Sequence, residues 1–172
     1  MEKTKLNKFI QKYSLGGEVN SVKWESNGNS LNTIFISSDK SLIGEVKVDN
    51  FQFDESELGI YQTDQLKNLI GVLGDDISLD LSKFGDKAVS LNISNGSVSV
   101  DYILSDLSVI PDPPKMKRIP GFETKIKLNT NFINTFIKGK SALPDVNTFS
   151  IVNNTKTGKL EVVIGYASIN TN

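Results

Sequence analysis

Apolar residues recur along the chain with two different periods. Leu6, Phe9, Ile10 and Tyr13 stand at i, i+3, i+4 and i+7, the spacing that gathers side chains on one face of a helix, and Leu66, Leu69, Ile70 and Leu73 repeat it. Phe132, Ile133, Phe136 and Ile137 mark a third helix, with Asn129 or Thr130 as its N-cap and Gly139 near its end. Gly16 and Gly74 are the expected stops of the first two. Elsewhere the period is two. Val19–Trp24, Ile77–Leu81 and Ser97–Tyr102 alternate apolar and polar residues, as half-buried strands do. Asn95-Gly96 and Lys156-Thr157-Gly158-Lys159 are hairpin signals between such runs.

In chain order these elements repeat as one helix followed by short strands. The first copy runs from Lys3 to about Val48. The second opens with a strand near Phe51–Tyr61, continues into the Leu66 helix, and adds strands near 77–82, 87–93 and 97–104. The third opens with a strand over Glu123–Leu128, then the Phe132 helix, then strands near 147–153 and 158–165. Self-similarity at about 60 residues implies units that stack to bury a shared core. Pro111, Pro113, Pro114 and Pro120 fall between Ser105 and Gly121, together with Lys115, Lys117 and Arg118. Proline removes backbone donors and favours extended chain, so this stretch is expected as a connector. The expected domains are 1–104 and 122–172, joined by 105–121. The second domain holds one copy of the repeat where the first holds two, and it is near the size at which a single core becomes marginal.

Composition narrows the chemistry. The 172 residues include no Cys and no His, which excludes disulfides, Cys/His zinc sites and imidazole-based triads. Asp75, Asp76 and Asp80 lack the Asp-x-Asp-x-Asp-Gly loop and closing Glu of a calcium site, so they are expected as a solvated turn. Trp24 and Tyr61, at strand positions, are expected to pack rather than stack on bases. The expectation is a protein that is not an enzyme, with no catalytic residue, metal or cofactor. The N-terminus lacks the apolar core of a signal peptide, and no apolar run approaches the length of a membrane span, so no membrane partner is expected.

With 19 Lys and Arg against 20 Asp and Glu the net charge is -1, but the charge is unevenly placed. Lys5, Lys8 and Lys12 lie at i, i+3 and i+7 on the first helix, with Lys3 at its start; Lys67 is on the second helix, and Lys138 and Lys140 end the third. The carboxylates sit largely in strands and loops. Such a stripe reads either as a solvated helix face or as a surface for phosphates, and spacing alone leaves both open.

The run Gly59-Ile60-Tyr61-Gln62-Thr63-Asp64-Gln65-Leu66-Lys67-Asn68-Leu69-Ile70-Gly71-Val72-Leu73-Gly74-Asp75-Asp76 resembles the sliding clamps of tailed bacteriophages, the processivity factors of phage DNA polymerases. The likeness extends to the Lys-rich N-terminal helix, the Pro-rich connector, Ile126-Lys127 before the Phe132 helix, and Gly158-Lys159-Leu160-Glu161-Val162-Val163-Ile164. It implies an α+β DNA clamp fold, repeated helices and antiparallel strands, with sheets outside and helices lining a central hole. Members of that family close as head-to-tail homotrimers around double-stranded DNA without reading its sequence. They tether the replicative DNA polymerase and are opened by a clamp loader. Lys3, Lys5, Lys8, Lys12, Lys67, Lys138 and Lys140 would then face DNA. Val109, Ile110, Pro111 and Met116 would sit at a pocket for a partner's peptide, or would form a connector covering the sheet. The resemblance further implies the cytoplasm of an infected bacterial host, and a last repeat missing or supplied by another chain. The alternative is a phage structural or assembly protein with a mixed antiparallel sheet and no DNA role.

Overall fold

The computed structural model describes residues 3–114, 121 and 125–165. The chain divides into two compact units, Met1–Ile119 and Pro120–Asn172.

The first unit opens with helix α1, Lys3–Ser14, whose stripe of Leu6, Phe9, Ile10 and Tyr13 is buried as its spacing requires. A single 3-10 turn at Leu15–Gly17 ends it, with Gly16 in the left-handed region at φ 74°. Strands β1 (Val22–Ser26), β2 (Ser30–Ile36), β3 (Ile43–Asp49) and β4 (Ser56–Ile60) form an antiparallel sheet in the order β3-β2-β1-β4. Helix α2, Thr63–Gly71, follows and buries Leu66 and Ile70. Strands β5 (Ser78–Phe84), β6 (Lys87–Ser94) and β7 (Ser99–Ile103) then make a second antiparallel sheet.

The two repeats are interlocked rather than merely adjacent. β4 belongs to the second repeat by sequence, yet it pairs along its length with β1 of the first, Val22 opposite Ile60 and Ser26 opposite Ser56. Two residues beyond β7, Ser105 forms a bridge to Gly59 in β4, its N–H donating to the Gly59 carbonyl at 2.9 Å. One continuous core results. Side chains from α1 and α2 join Trp24, Leu31, Phe35, Leu58, Ile60, Leu91, Ile93 and Tyr102 from both sheets, which puts both helices on the same side of the strands. Phe9 meets Tyr13 and Trp24 edge-to-face at centroid distances of 5.5 and 5.4 Å, contacts that add specificity to the burial.

The second unit has helix α3, Thr130–Ala142, capped by Asn129, whose Oδ1 accepts from the Phe132 N–H at 2.8 Å. Strands β8 (Phe149–Asn154) and β9 (Lys159–Ile164) pair as a hairpin, turning through Gly158 at φ 66°. Phe136 stacks on Phe132 and meets Phe149 edge-on at 5.4 Å. Of the strand expected over Glu123–Leu128, the described residues form none. Residues 122–124 lie outside the described residues, and 125–128 carry no regular structure. The corresponding segment of the first unit is a strand because β1 supplies its hydrogen bonds, and among the described residues the second unit offers no such partner.

Candidate nucleic-acid interface

Two faces of the first unit carry the sequence candidates. On the helix side, α1 turns its apolar stripe to the sheets and leaves Lys8, Gln11 and Lys12 exposed. On α2, Gln65 and Asn68 are exposed, and Lys67 is half-buried with its Nζ 3.9 Å from the Asp64 carboxylate one turn earlier. That exposed pair interacts weakly. A small notch of about 140 Å³ lies between α1 and β3, with Lys5, Lys8 and Lys12 along it.

The remaining lysines of the helix side are engaged. Lys3 Nζ donates to the carbonyls of Leu73 at 2.5 Å and Gly71 at 3.3 Å, so it satisfies backbone acceptors where α2 ends. The Lys3 backbone N–H donates to the Asp75 carbonyl at 2.8 Å, which fastens the start of α1 to the same place. Lys5 Nζ donates to the Asn50 carbonyl at 2.6 Å. In the second unit, Lys140 Nζ donates to the Pro144 and Leu143 carbonyls at 3.0 and 3.3 Å, just past the end of its own helix, whereas Lys138 is exposed. Among the described residues, Lys8, Lys12 and Lys138 therefore present their ammonium groups to solvent without a protein partner. Sequence reasoning passed over the amides Gln11, Gln65 and Asn68. Neutral donors of this kind also contact phosphate oxygens, and the signal available was their place on the polar flank of each helix.

The opposite face of the sheets holds residues 105–112 of the expected connector. Lys23, Glu57 and Gly59 alternate with the buried Trp24, Leu58 and Ile60 and so point away from the helices. Ile110 is only 3% exposed and packs over Gly59, while Asp112 accepts from Lys23 Nζ at 2.5 Å. That contact raises the Lys23 pKa. The stretch 105–112 is thus a strap across the outer sheet face, with a 3-10 turn at Leu107–Val109 capped by the Asp106 carboxylate. Lys87 and the Ser108 N–H and hydroxyl beside Asp106 hold its carboxyl well below the usual range. Of the expected pocket residues, Ile110 is buried as cover, Val109 is 57% exposed, Pro111 is exposed, and Met116 lies outside the described residues. Cavities flank the strap: about 620 Å³ bordered by Glu57, Phe84, Lys87 and Leu107, and about 320 Å³ bordered by Ile34, Ile36, Val19 and Pro111.

Among the described residues, no group of three or more acidic side chains is placed to hold a metal ion. No described helix is long and apolar enough to cross a membrane.

No family model matches this chain, and no curated protein matches it. Among solved structures it is similar to the DNA polymerase sliding clamp from Pseudomonas aeruginosa, crystallised with a ligand, at a TM-score of 0.50 and 14% identity. The fold is a DNA clamp fold. The match covers 66% of this chain and 31% of that protein, so the chain spans less than a third of the clamp it resembles. At this identity the likeness speaks for the fold alone.

Proposed function

We propose that this protein is a sliding clamp: copies assemble into a ring around duplex DNA, helices inward, and tether a DNA polymerase during synthesis. The observation that carries the reading is the division of the first unit into two chemically different faces. The helix side offers Lys8 and Lys12 with exposed amides around them, whereas on the sheet side Glu25, Glu45 and Glu57 are exposed and Lys23 is tied to Asp112 of the strap. Lysines and amides contact phosphates without reading bases, and a few such contacts hold DNA loosely enough to slide. Lys3 and Lys5 add positive potential to that side while fixed to backbone carbonyls, so they set the field rather than reach for phosphates. Lys138 and Lys140 belong to the same role in the second unit. A clamp of this kind is a scaffold without catalytic chemistry, opened by an ATP-driven loader. Its polymerase or loader would dock a short peptide on the outer face, against Val109, Pro111 and the cavities beside the strap.

The test uses the absence of cysteine in the chain. Single variants Gln11→Cys on α1 and Glu25→Cys on β1 are labelled with a photo-crosslinker and irradiated with duplex DNA. Cross-linking from position 11 and little from position 25 is expected. Equal yields, or a higher yield from position 25, would contradict the reading.

A further inference from the structure

We infer that the strap of residues 105–112 is a built-in stand-in for a partner's peptide, and that this peptide carries a branched aliphatic residue with a carboxylate on either side. The inference deepens the outer-face docking of the proposed function and rests on it. The strap sits on the sheet as a bound ligand does, with one side chain inserted and its neighbours left out. Ile110 is buried over Gly59, where the missing Cβ leaves room for it, while Val109 and Pro111 beside it are exposed. Glycine within a strand marks a place where another stretch of chain comes close. Charges flank the inserted residue: Asp106 pairs with Lys87 of β6, and Asp112 with Lys23, which stands directly opposite Gly59 in the sheet. Leu107, Ser108 and Val109 between them are uncharged, and Leu107 borders the same cavity as Glu57. The receiving face is therefore a seat for one apolar side chain between two lysines, which fits an acidic peptide with an aliphatic anchor.

The fastenings of the strap suit release. Among the described residues, the polar contacts that tie it to the sheets are the Ser105 N–H on the Gly59 carbonyl and the two ion pairs. Both pairs have an exposed carboxylate, so each is weak and screened by salt. The other bonds are internal: Asp106 Oδ1 accepts from the Ser108 N–H at 3.0 Å and hydroxyl at 2.8 Å, and the Val109 N–H donates to the Asp106 carbonyl at 3.1 Å. The 3-10 turn thus keeps its own bonds when the strap lifts. Beside the strap lie the cavities of about 620 and 320 Å³, which it leaves unfilled. A peptide that takes the seat and also fills these cavities makes contacts the strap lacks, and that surplus lets it compete with a tethered segment at high effective concentration. While the strap is down, affinity for the partner is reduced by the fraction of time the seat is open.

The probe is a synthetic peptide with the sequence of residues 105–112, titrated by NMR into the full chain and into strap-released variants. Ile110→Asp places a charge that cannot stay over Gly59, and Asp106→Ala with Asp112→Ala loosens both ends without touching the anchor. The peptide is expected to bind either variant about tenfold or more tighter than the unaltered chain, with amide shifts at Gly59, Lys23 and Lys87. Lys23→Ala or Lys87→Ala added to Ile110→Asp should weaken binding about two- to fivefold. A peptide carrying Ile110→Asp should not bind. Trp24 fluorescence reports whether each variant keeps the first unit folded, and the double-alanine chain carries the test if Ile110→Asp does not. Equal affinity for unaltered and released chains, shifts elsewhere, indifference to the lysines, or no binding at all would overturn the inference. The experiment contains no DNA. Peptide binding without DNA cross-linking therefore removes the clamp reading alone, and cross-linking without peptide binding removes the strap's role alone.

Discussion

Gly59 stands where the two sheets and the strap converge, and replacing it with alanine isolates the contribution of that junction. A Cβ at this position would run into the Ser105 carbonyl oxygen, lie 3.1 Å from its carbonyl carbon and 3.6 Å from Ile110 Cγ1. The first obstacle is backbone and cannot rotate aside. If the strap stays, overpacking costs about 1–3 kcal/mol, with a rigid neighbour pushing toward the upper end. If the strap lifts, the burial of Ile110 is lost at about 1.5–3 kcal/mol, and the Ser105–Gly59 hydrogen bond at about 0.5–1.5 kcal/mol. The cheaper route decides, so Gly59→Ala is expected to destabilise the first unit by about 2–3 kcal/mol. Gly71, the last residue of α2, has nothing within 4 Å of its Cβ position, and Gly71→Ala should stabilise by about 0.5–1 kcal/mol. Urea unfolding followed through Trp24, the single tryptophan and a buried one, reads both. A neutral Gly59→Ala, or equal losses at the two positions, would refute the placement of the strap.

The other predictions concern the lysines and a buried tyrosine. Lys3→Ala should cost about 1 kcal/mol by uncapping α2, whereas Lys8→Ala should change urea stability by less than about 0.5 kcal/mol. Conversely, Lys8→Ala with Lys12→Ala should weaken duplex binding and flatten the dependence of log K on log salt by about 0.9 per lysine removed, measured by fluorescence anisotropy. The Tyr13 phenol is pushed up from its ordinary 10.0 by burial, and Tyr102 shifts the same way for the same reason. Above pH 10 the unfolded chain releases the Tyr13 proton while the folded chain keeps it, so stability is present below that pH and falls as pH rises, by about 1.4 kcal/mol per unit for Tyr13, with Tyr102 acting in the same direction. Tyr13→Phe should make that alkaline limb shallower, while also removing the Tyr13–Thr63 hydroxyl contact at 3.3 Å.

Much of the fold was legible because its information is local. The stripes of α1 and α3 and the Asn129 cap came from spacing and residue type, and the strands from alternation. The end of α2 was less clear: Leu73 fits the helical period, but the helix stops at Gly71 and Leu73 is buried from the turn beyond it. What sequence could not supply is long-range. Alternation makes Leu58 and Ile60 a strand but does not say that β4 joins β1 rather than its own repeat. The stripe of Lys5, Lys8 and Lys12 looked uniform, yet Lys5 is spent on a carbonyl 45 residues away and Lys3 on one 70 residues away. Only the three-dimensional neighbours separate a lysine that ties elements together from one that faces solvent. Ile110 was expected either at a pocket or as cover for the sheet, and what fixed its burial was the missing Cβ of Gly59 opposite.

Retention by encirclement depends on DNA topology, which can be changed without changing the protein. The protein, with a clamp loader and ATP, is bound to nicked circular duplex and passed over a sizing column in salt high enough to suppress electrostatic binding. The protein is expected to travel with the circle and to be released when the same DNA is cut to a linear form. Equal retention on circular and linear DNA, or none on either, would contradict it.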